Sequence, residues 1–301
     1  MPPNRIIVMT GATAGIGQAA ARLLAEEPDT HLIIGARGTG RQVPEGSEVL
    51  PLDLASLDSV RSFADAVTQR LGERRIDTLV LNAGLNSPDP ARRTEDGFGV
   101  TFAVNHLAHY LLARLLLPVI ADGGRLIITA SDTHDPKIIP VVGPTTLDPE
   151  ALAHPSAKPG RMRAYAASKL CNVLTARSLA VLDDVTERGI TVVAYNPGLT
   201  PDTGLAGDVP AAARTALRVA VLPVLRLVSR FRPAFYPGTV ERAGQVLAEL
   251  TLGTTSPPTP RVYVSLVRAQ VTFPAPSELA LDDNARDLLW RESATMTGLA
   301  A

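Results

Sequence analysis

The chain is short of sulfur, of net charge and of long apolar runs, and each shortage narrows what it is. Cys171 is the only cysteine in 301 residues, so no intrachain disulfide can form, which fits a reducing compartment. Lys and Arg number 29 against 30 Asp and Glu, a formal charge of −1, without the basic surplus expected of a nucleic-acid partner. No stretch reads as the roughly 20 apolar residues a membrane span needs. The nearest run, 219–225, is bounded by Arg218 and Arg226 and contains Pro223. The opening MPPNRIIVMT lacks the basic segment and longer apolar core of a secretion signal. The expectation is a soluble, cytoplasmic protein.

What the chain does have is enough apolar residue, 46% of the total, to bury a sizeable core. Short apolar runs alternate with helical patterns. Strands are predicted at 5–10, 31–36, 47–52, 77–82, 125–130 and 190–195. Helices are predicted at 15–26, 56–71 with Ser56 as its cap, 104–117 ended by Pro118, and 164–182. Unbroken apolar strands are those of a parallel sheet covered on both faces, and regular alternation implies a doubly wound α/β fold. After Pro197 the pattern loosens into a proline-containing stretch, a helix at 238–250, a last strand at 261–267 and a terminal helix at 277–292. With no internal repeat and no long linker, residues 1–301 read as one domain of about seven strands with an elaborated end.

Three motifs carry chemistry. Tyr165 and Lys169 lie four residues apart in a predicted helix, hence on one face. There a cation can favour phenolate, lowering a pKa ordinarily about 10, and so make a proton donor and acceptor for a carbonyl. Upstream, Thr10-Gly-Ala-Thr-Ala-Gly-Ile-Gly17 joins the first strand to the first helix. Glycines at 11, 15 and 17 let the backbone turn tightly beneath a pyrophosphate held at the helix N-terminus. Between the two, Leu81-Asn-Ala-Gly84 ends the fourth strand. Nucleotide choice falls at the end of the second strand, where an NAD enzyme usually places a carboxylate for the ribose 2′-hydroxyl. Ala36 stands there, and the Arg37 that follows suits a 2′-phosphate, so NADP(H) is favoured over NAD(H).

These motifs, in this order, resemble the short-chain dehydrogenase/reductase family from about Arg5 to Gly198. Asn105-His-Leu-Ala-His-Tyr-Leu-Leu and Tyr165-Ala-Ala-Ser-Lys-Leu-Cys-Asn-Val-Leu are similar to the branch of retinol dehydrogenases and protochlorophyllide reductases. The resemblance implies a Rossmann-like sheet and a catalytic set of Asn105, Ser131, Tyr165 and Lys169. Tyr165 would exchange a proton with the substrate oxygen, and Ser131 would orient that oxygen. Lys169 would bind ribose hydroxyls and lower the tyrosine pKa. Asn105 would hold a water leading to solvent. The cofactor-binding residues implied are Gly11, Thr13, Gly15, Ile16, Gly17, Arg37, Asp53, Leu54, Asn82, Ala83 and Gly84, then Tyr165, Lys169, Pro197, Gly198 and Thr200. Thr203 is an alternative to Thr200, and Asp132 stands where the family often has a second small residue.

The remaining candidates are weaker. His106 and His109 share a helix but lack further ligands at metal spacing, so packing or an interface is expected and no metal. His134 is a candidate to line the substrate cleft, and Cys171 reads as a buried structural thiol. Substrate selection is expected from 136–162 and from a lid at 199–237. Arg214, Arg218, Arg226 and Arg230 share one helical face of that lid beside apolar residues. A membrane-surface contact and a plain solvated helix are the alternatives for 211–232. The expected activity is NADP(H)-dependent interconversion of a carbonyl and an alcohol on a hydrophobic small molecule. A nucleotide-binding regulator without turnover and an epimerase or dehydratase are its rivals. The resemblance also allows a homo-oligomer.

Overall fold

The computed structural model describes residues 5–38, 40, 42–155, 160–201 and 222–300. Among the described residues, eight strands form one sheet: β1 Arg5–Thr10, β2 Thr30–Ala36, β3 Glu48–Pro51, β4 Ile76–Leu81, β5 Ile120–Thr129, β6 Thr191–Asn196, β7 Tyr263–Val267 and β8 Gln270–Thr272. Their order is β3-β2-β1-β4-β5-β6-β7-β8. All neighbours are parallel except β7 and β8. The order reverses between β1 and β4, opening a crevice at the strands' carboxyl ends.

Each strand is apolar on both sides because each side meets helices. In β1, Ile6 and Val8 face one layer while Ile7 and Met9 face the other. The first layer holds Phe63 of α2 (Leu57–Leu71), Leu111 of α3 (100–116) and Leu174 of α4 (Arg161–Ala180). The second holds Leu24 of α1 (Gly15–Glu26) and Leu247 of α5 (Val240–Leu252). Phe63 and Leu111 are essentially inaccessible, so cutting either to alanine should cost about 2–5 kcal/mol. Gly244 of α5 lies directly under α1; a Cβ there would stand 2.5 Å from the Ala19 methyl.

Helix α3 runs from Val100–Phe102 through a π turn, Ala103–Leu107, into Ala108–Leu116. With the following turn it spans Val100–Val119, long and apolar enough by length and composition to cross a membrane, yet 89% buried inside the protein. The sequence reading began this helix at 104 and found no apolar run of that length. The helix is apolar because it packs between α2 and α4.

Two other differences have local causes. The expected terminal helix is split into Glu278–Leu281 and α6 (Asp283–Met296), because Asp282 turns outward and caps the second piece through the Asn284 and Ala285 amides. Strand β8 was not anticipated. Its hairpin turns on Arg268 and Ala269, both at positive φ (49° and 62°), with none of the Asn-Gly or Asp-Gly chemistry that marks such turns. Ser56 caps α2 as expected, accepting from the Ser59 amide.

Candidate active site

The crevice is a cleft of about 1110 Å³ at the carboxyl ends of β1, β2, β4, β5 and β6. Its floor at one end is the glycine turn. Gly11 takes φ 69°, and a Cβ there would stand 2.6 Å from the Ala83 backbone. At Gly17 it would stand 2.0 Å from the Gly11 oxygen, so only glycine closes the turn. Helix α1 then starts at Ala14 with no capping side chain and no acid in its first turn. Its first-turn amides have no intrahelical acceptor, and Ala14, Ile16 and Gly17 line the cleft. An uncapped positive helix end over a backbone with room for nothing larger fits the pyrophosphate of a dinucleotide.

Thr13, Arg37, Asp53, Leu54, Asn82, Ala83, Gly84, Pro197, Gly198 and Thr200 all line the same cleft. Gly15 instead borders a neighbouring depression of about 540 Å³ with Arg22 and Arg226. Asn82 braces the turn, donating to the Gly11 oxygen at 3.1 Å and accepting from the Thr129 hydroxyl at 3.0 Å. Thr10 was missed by sequence reasoning despite lying inside the motif. Its hydroxyl accepts from the Asn82 and Ala83 amides, both at 3.1 Å, and so donates to His109 Nε2, also at 3.1 Å.

Ser131, Tyr165 and Lys169 line the same cleft. Lys169 Nζ donates to the Thr129 oxygen at 2.9 Å, an oxygen that Asn172 Nδ2 shares at 2.9 Å. Burial pushes the Tyr165 phenol up to about 12, opposed by the neighbouring Ser131 side chain. Burial also pushes Lys169 down to about 8. Both shifts are set by burial in the nucleotide-free protein. At 8% and 2% exposure the two groups have lost the water that would stabilise their charges.

Asn105 does not line the cleft. Completely buried in the π turn, it accepts from the Leu85 amide at 2.8 Å and donates to the Leu85 oxygen and to Ser168 Oγ, both at 2.9 Å. Its side chain staples the loop after β4 to α4. Ser168, between the two motif residues, is the second group the sequence reading missed; its own hydroxyl donates to the Tyr165 backbone carbonyl oxygen at 2.7 Å.

His109 Nδ1 sits 3.2 Å from the Asn105 oxygen, and His106 Nε2 sits 2.8 Å from Ser293 Oγ of α6. Burial pushes both imidazoles down to about 3, so both are neutral packing groups. His134 does not line the cleft either; it is buried behind Ser131, between the Ser131 oxygen and the Ser277 amide. Cys171 is buried and its thiol is pushed up by that burial. Of the expected lid, 199–201, Ala234 and Phe235 line the cleft. Thr203, Arg214 and Arg218 lie outside the described residues.

Fold and cleft define an oxidoreductase of the dinucleotide-binding α/β class. Residues 5–139 match the family model described as short chain dehydrogenase. Protochlorophyllide reductase of Avena sativa is 31% identical over 331 residues, covering 98% of this chain and 100% of that protein. The WW domain-containing oxidoreductase of Danio rerio is 35% identical over 209 residues, 65% of this chain; the aligned part spans 49% of that longer protein. Among solved structures, an uncharacterized protein from Mycobacterium paratuberculosis superposes with a TM-score of 0.68 at 27% identity, covering 98% of this chain and 94% of that one. A short chain dehydrogenase from Burkholderia cenocepacia, solved in complex with NADP, gives 0.56 at 24% identity, covering 85% and 92%. The chain belongs to the short-chain dehydrogenase/reductase family, in the branch of the protochlorophyllide reductases.

Proposed function

We propose that the protein uses NADP(H) to interconvert a carbonyl and an alcohol on a hydrophobic small molecule, with Tyr165 as the general acid and base. The observation that carries this reading is the convergence of Ser131, Tyr165 and Lys169 on the cleft that also holds the glycine turn and the uncapped α1 N-terminus. When bound there, the nicotinamide supplies or accepts the hydride.

The chain's own residues do the rest. Arg37 at the end of β2 offers a guanidinium to a 2′-phosphate, and Ala36 offers no carboxylate to a 2′-hydroxyl. A phenol held at about 12 keeps its proton at neutral pH, so Tyr165 enters as the acid, the form that carbonyl reduction requires. Ser131 beside it can hold the carbonyl oxygen in line. Lys169 at about 8 is mostly charged at pH 7 and supports a developing negative charge on the phenol. Ile138, Ile139, Met162 and Phe235 line the cleft beyond these groups, which suits an apolar substrate body.

The test is NADPH absorbance followed against a panel of hydrophobic ketones, aldehydes and alcohols, with wild type and Tyr165→Phe side by side. Net consumption of NADPH by the wild type, lost in the variant while nucleotide still binds, is the expected result. Undiminished turnover in Tyr165→Phe removes the phenol from the chemistry.

A further inference from the structure

Three adjacent strands are tied together behind Ser131, and what joins them is a buried carboxylate. Asp132 follows Ser131 at the end of β5. Asn196 ends β6 and is 1% exposed, and Tyr263 and Ser265 lie on β7. Asn196 Oδ1 accepts from the Asp132 amide at 3.2 Å and from the Gly198 amide at 3.0 Å. Its Nδ2 donates to the Asp132 carboxylate and to Ser265 Oγ, the latter at 2.9 Å. The Tyr263 hydroxyl donates to the same carboxylate oxygen at 3.4 Å. Both donors and both acceptor positions of the Asn196 amide are therefore used, and its orientation is fixed.

That orientation reaches the cleft on two sides. Through the Asp132 backbone it holds the residue next to Ser131. Through the Gly198 amide it holds a turn with no slack: Gly198 has φ 68°, and a Cβ there would stand 2.4 Å from the Leu266 oxygen. A flipped Asn196 would present its NH₂ to two backbone amides, a repulsive arrangement that Asp132 prevents by demanding a donor on the other side.

We infer that Asp132 is a positioning residue: its carboxylate, acting through Asn196, fixes Ser131 and the Pro197–Gly198 turn relative to each other. This rests on the proposed reading of Ser131 and of that turn as parts of the active site. The cluster also makes the arrangement sensitive to pH. Burial raises Asp132 to about 6, against hydrogen bonds from Tyr263 and Asn196 that lower it and a like charge at Asp135 that adds to the rise. Tyr263 is held well above its usual value and stays a donor. His134, packed edge-on to the Tyr263 ring at 5.3 Å, is lowered by burial and stays neutral. Protonating Asp132 removes the charge that strengthens the Asn196 bond.

The test compares wild type, Asp132→Asn and Asp132→Ala by amide hydrogen exchange on the nucleotide-free protein, NADPH titration by fluorescence, and turnover. The side-chain amide introduced by Asp132→Asn can still accept from Asn196, whereas the methyl left by Asp132→Ala cannot. In Asp132→Ala the Gly198 amide should lose about tenfold or more of its protection, and kcat should fall by about 10- to 100-fold. Asp132→Asn, uncharged at every pH, should hold both between wild type and Asp132→Ala, with Gly198 protection at the level the wild type reaches below about pH 6 and no further loss as pH falls through that value. Wild-type Gly198 protection in Asp132→Ala, or an unchanged pH profile in Asp132→Asn, overturns the inference. Should Asp132→Ala fail to fold, the Asp132→Asn profile decides. A wild type that turns over nothing sinks the proposed activity instead, while the exchange measurement still decides the role of Asp132.

Discussion

Lys169 Nζ lies 5.7 Å from the centroid of the Tyr165 ring, and its hydrogen bond runs to the Thr129 backbone oxygen. Its charge therefore stands beside the ring and is anchored by the strand. Phenolate absorbance, taken as the difference between wild type and Tyr165→Phe, should show no step before about pH 11 in the nucleotide-free protein. A phenolate appearing near neutrality would mean that Lys169 alone acidifies the tyrosine, contrary to this geometry.

The same burial makes Lys169 destabilising. It titrates at about 8 in the fold against the ordinary 10.5, so the folded state binds fewer protons between those values. The stability linked to this group is present above the ordinary value and is lost as pH falls through about 8. At pH 7 the protein bears the full penalty. Lys169→Met should therefore raise the melting temperature at pH 7, by an amount equivalent to about 1–3 kcal/mol, while abolishing turnover. Asn172 still donates to the Thr129 oxygen in that variant, so no backbone acceptor is orphaned. The gain should shrink as the pH approaches 10. A lower melting temperature at pH 7 would show that the lysine stabilises the fold on balance.

Asn105 makes three hydrogen bonds from a fully buried side chain, two of them to the backbone of Leu85. Asn105→Leu leaves the Leu85 amide and carbonyl without those partners, a loss of about 2–5 kcal/mol measured by urea unfolding. Asn105→Asp keeps an acceptor for the Leu85 amide but has no donor for the Leu85 oxygen, and should fall between. Because the loop after β4 borders the cleft through Ala83 and Gly84, NADPH affinity should weaken in the same order. Wild-type stability in Asn105→Leu would remove the staple.

The sheet was legible because its strands are continuous apolar runs: Ile6 to Met9 needs no tertiary information to read as a strand with both faces covered. The glycine turn was legible because three glycines sat between a strand and a helix. What failed to show were features made by distant partners or unusual backbone. Asn105 was placed in a helix, but the π turn that aims its amide at Leu85 leaves no mark in residue type. Asp132 looked like a departure from a small-residue pattern, because its partners Asn196 and Tyr263 lie 64 and 131 residues further along. The burial of Tyr165 was hidden for a related reason. A four-residue spacing reports that two groups share a helix face, not how much water that face has lost.

Arg37 offers the sharpest test of nucleotide choice. It stands at the cleft just past β2, while Ala36 is buried and bonded through its backbone oxygen to the Leu52 amide at 3.0 Å. A guanidinium there would contribute a charge-assisted hydrogen bond to a 2′-phosphate and nothing comparable to a 2′-hydroxyl. Arg37→Asp reverses the sign: the new carboxylate repels the phosphate and can accept from a ribose hydroxyl. The dissociation constant for NADPH should rise by about 10- to 100-fold, as removing one such bond and adding repulsion implies. That for NADH should hold or improve. Fluorescence titration of both nucleotides reads the two constants on one preparation. Equal weakening of both would make Arg37 a general surface charge and withdraw the preference for NADP(H).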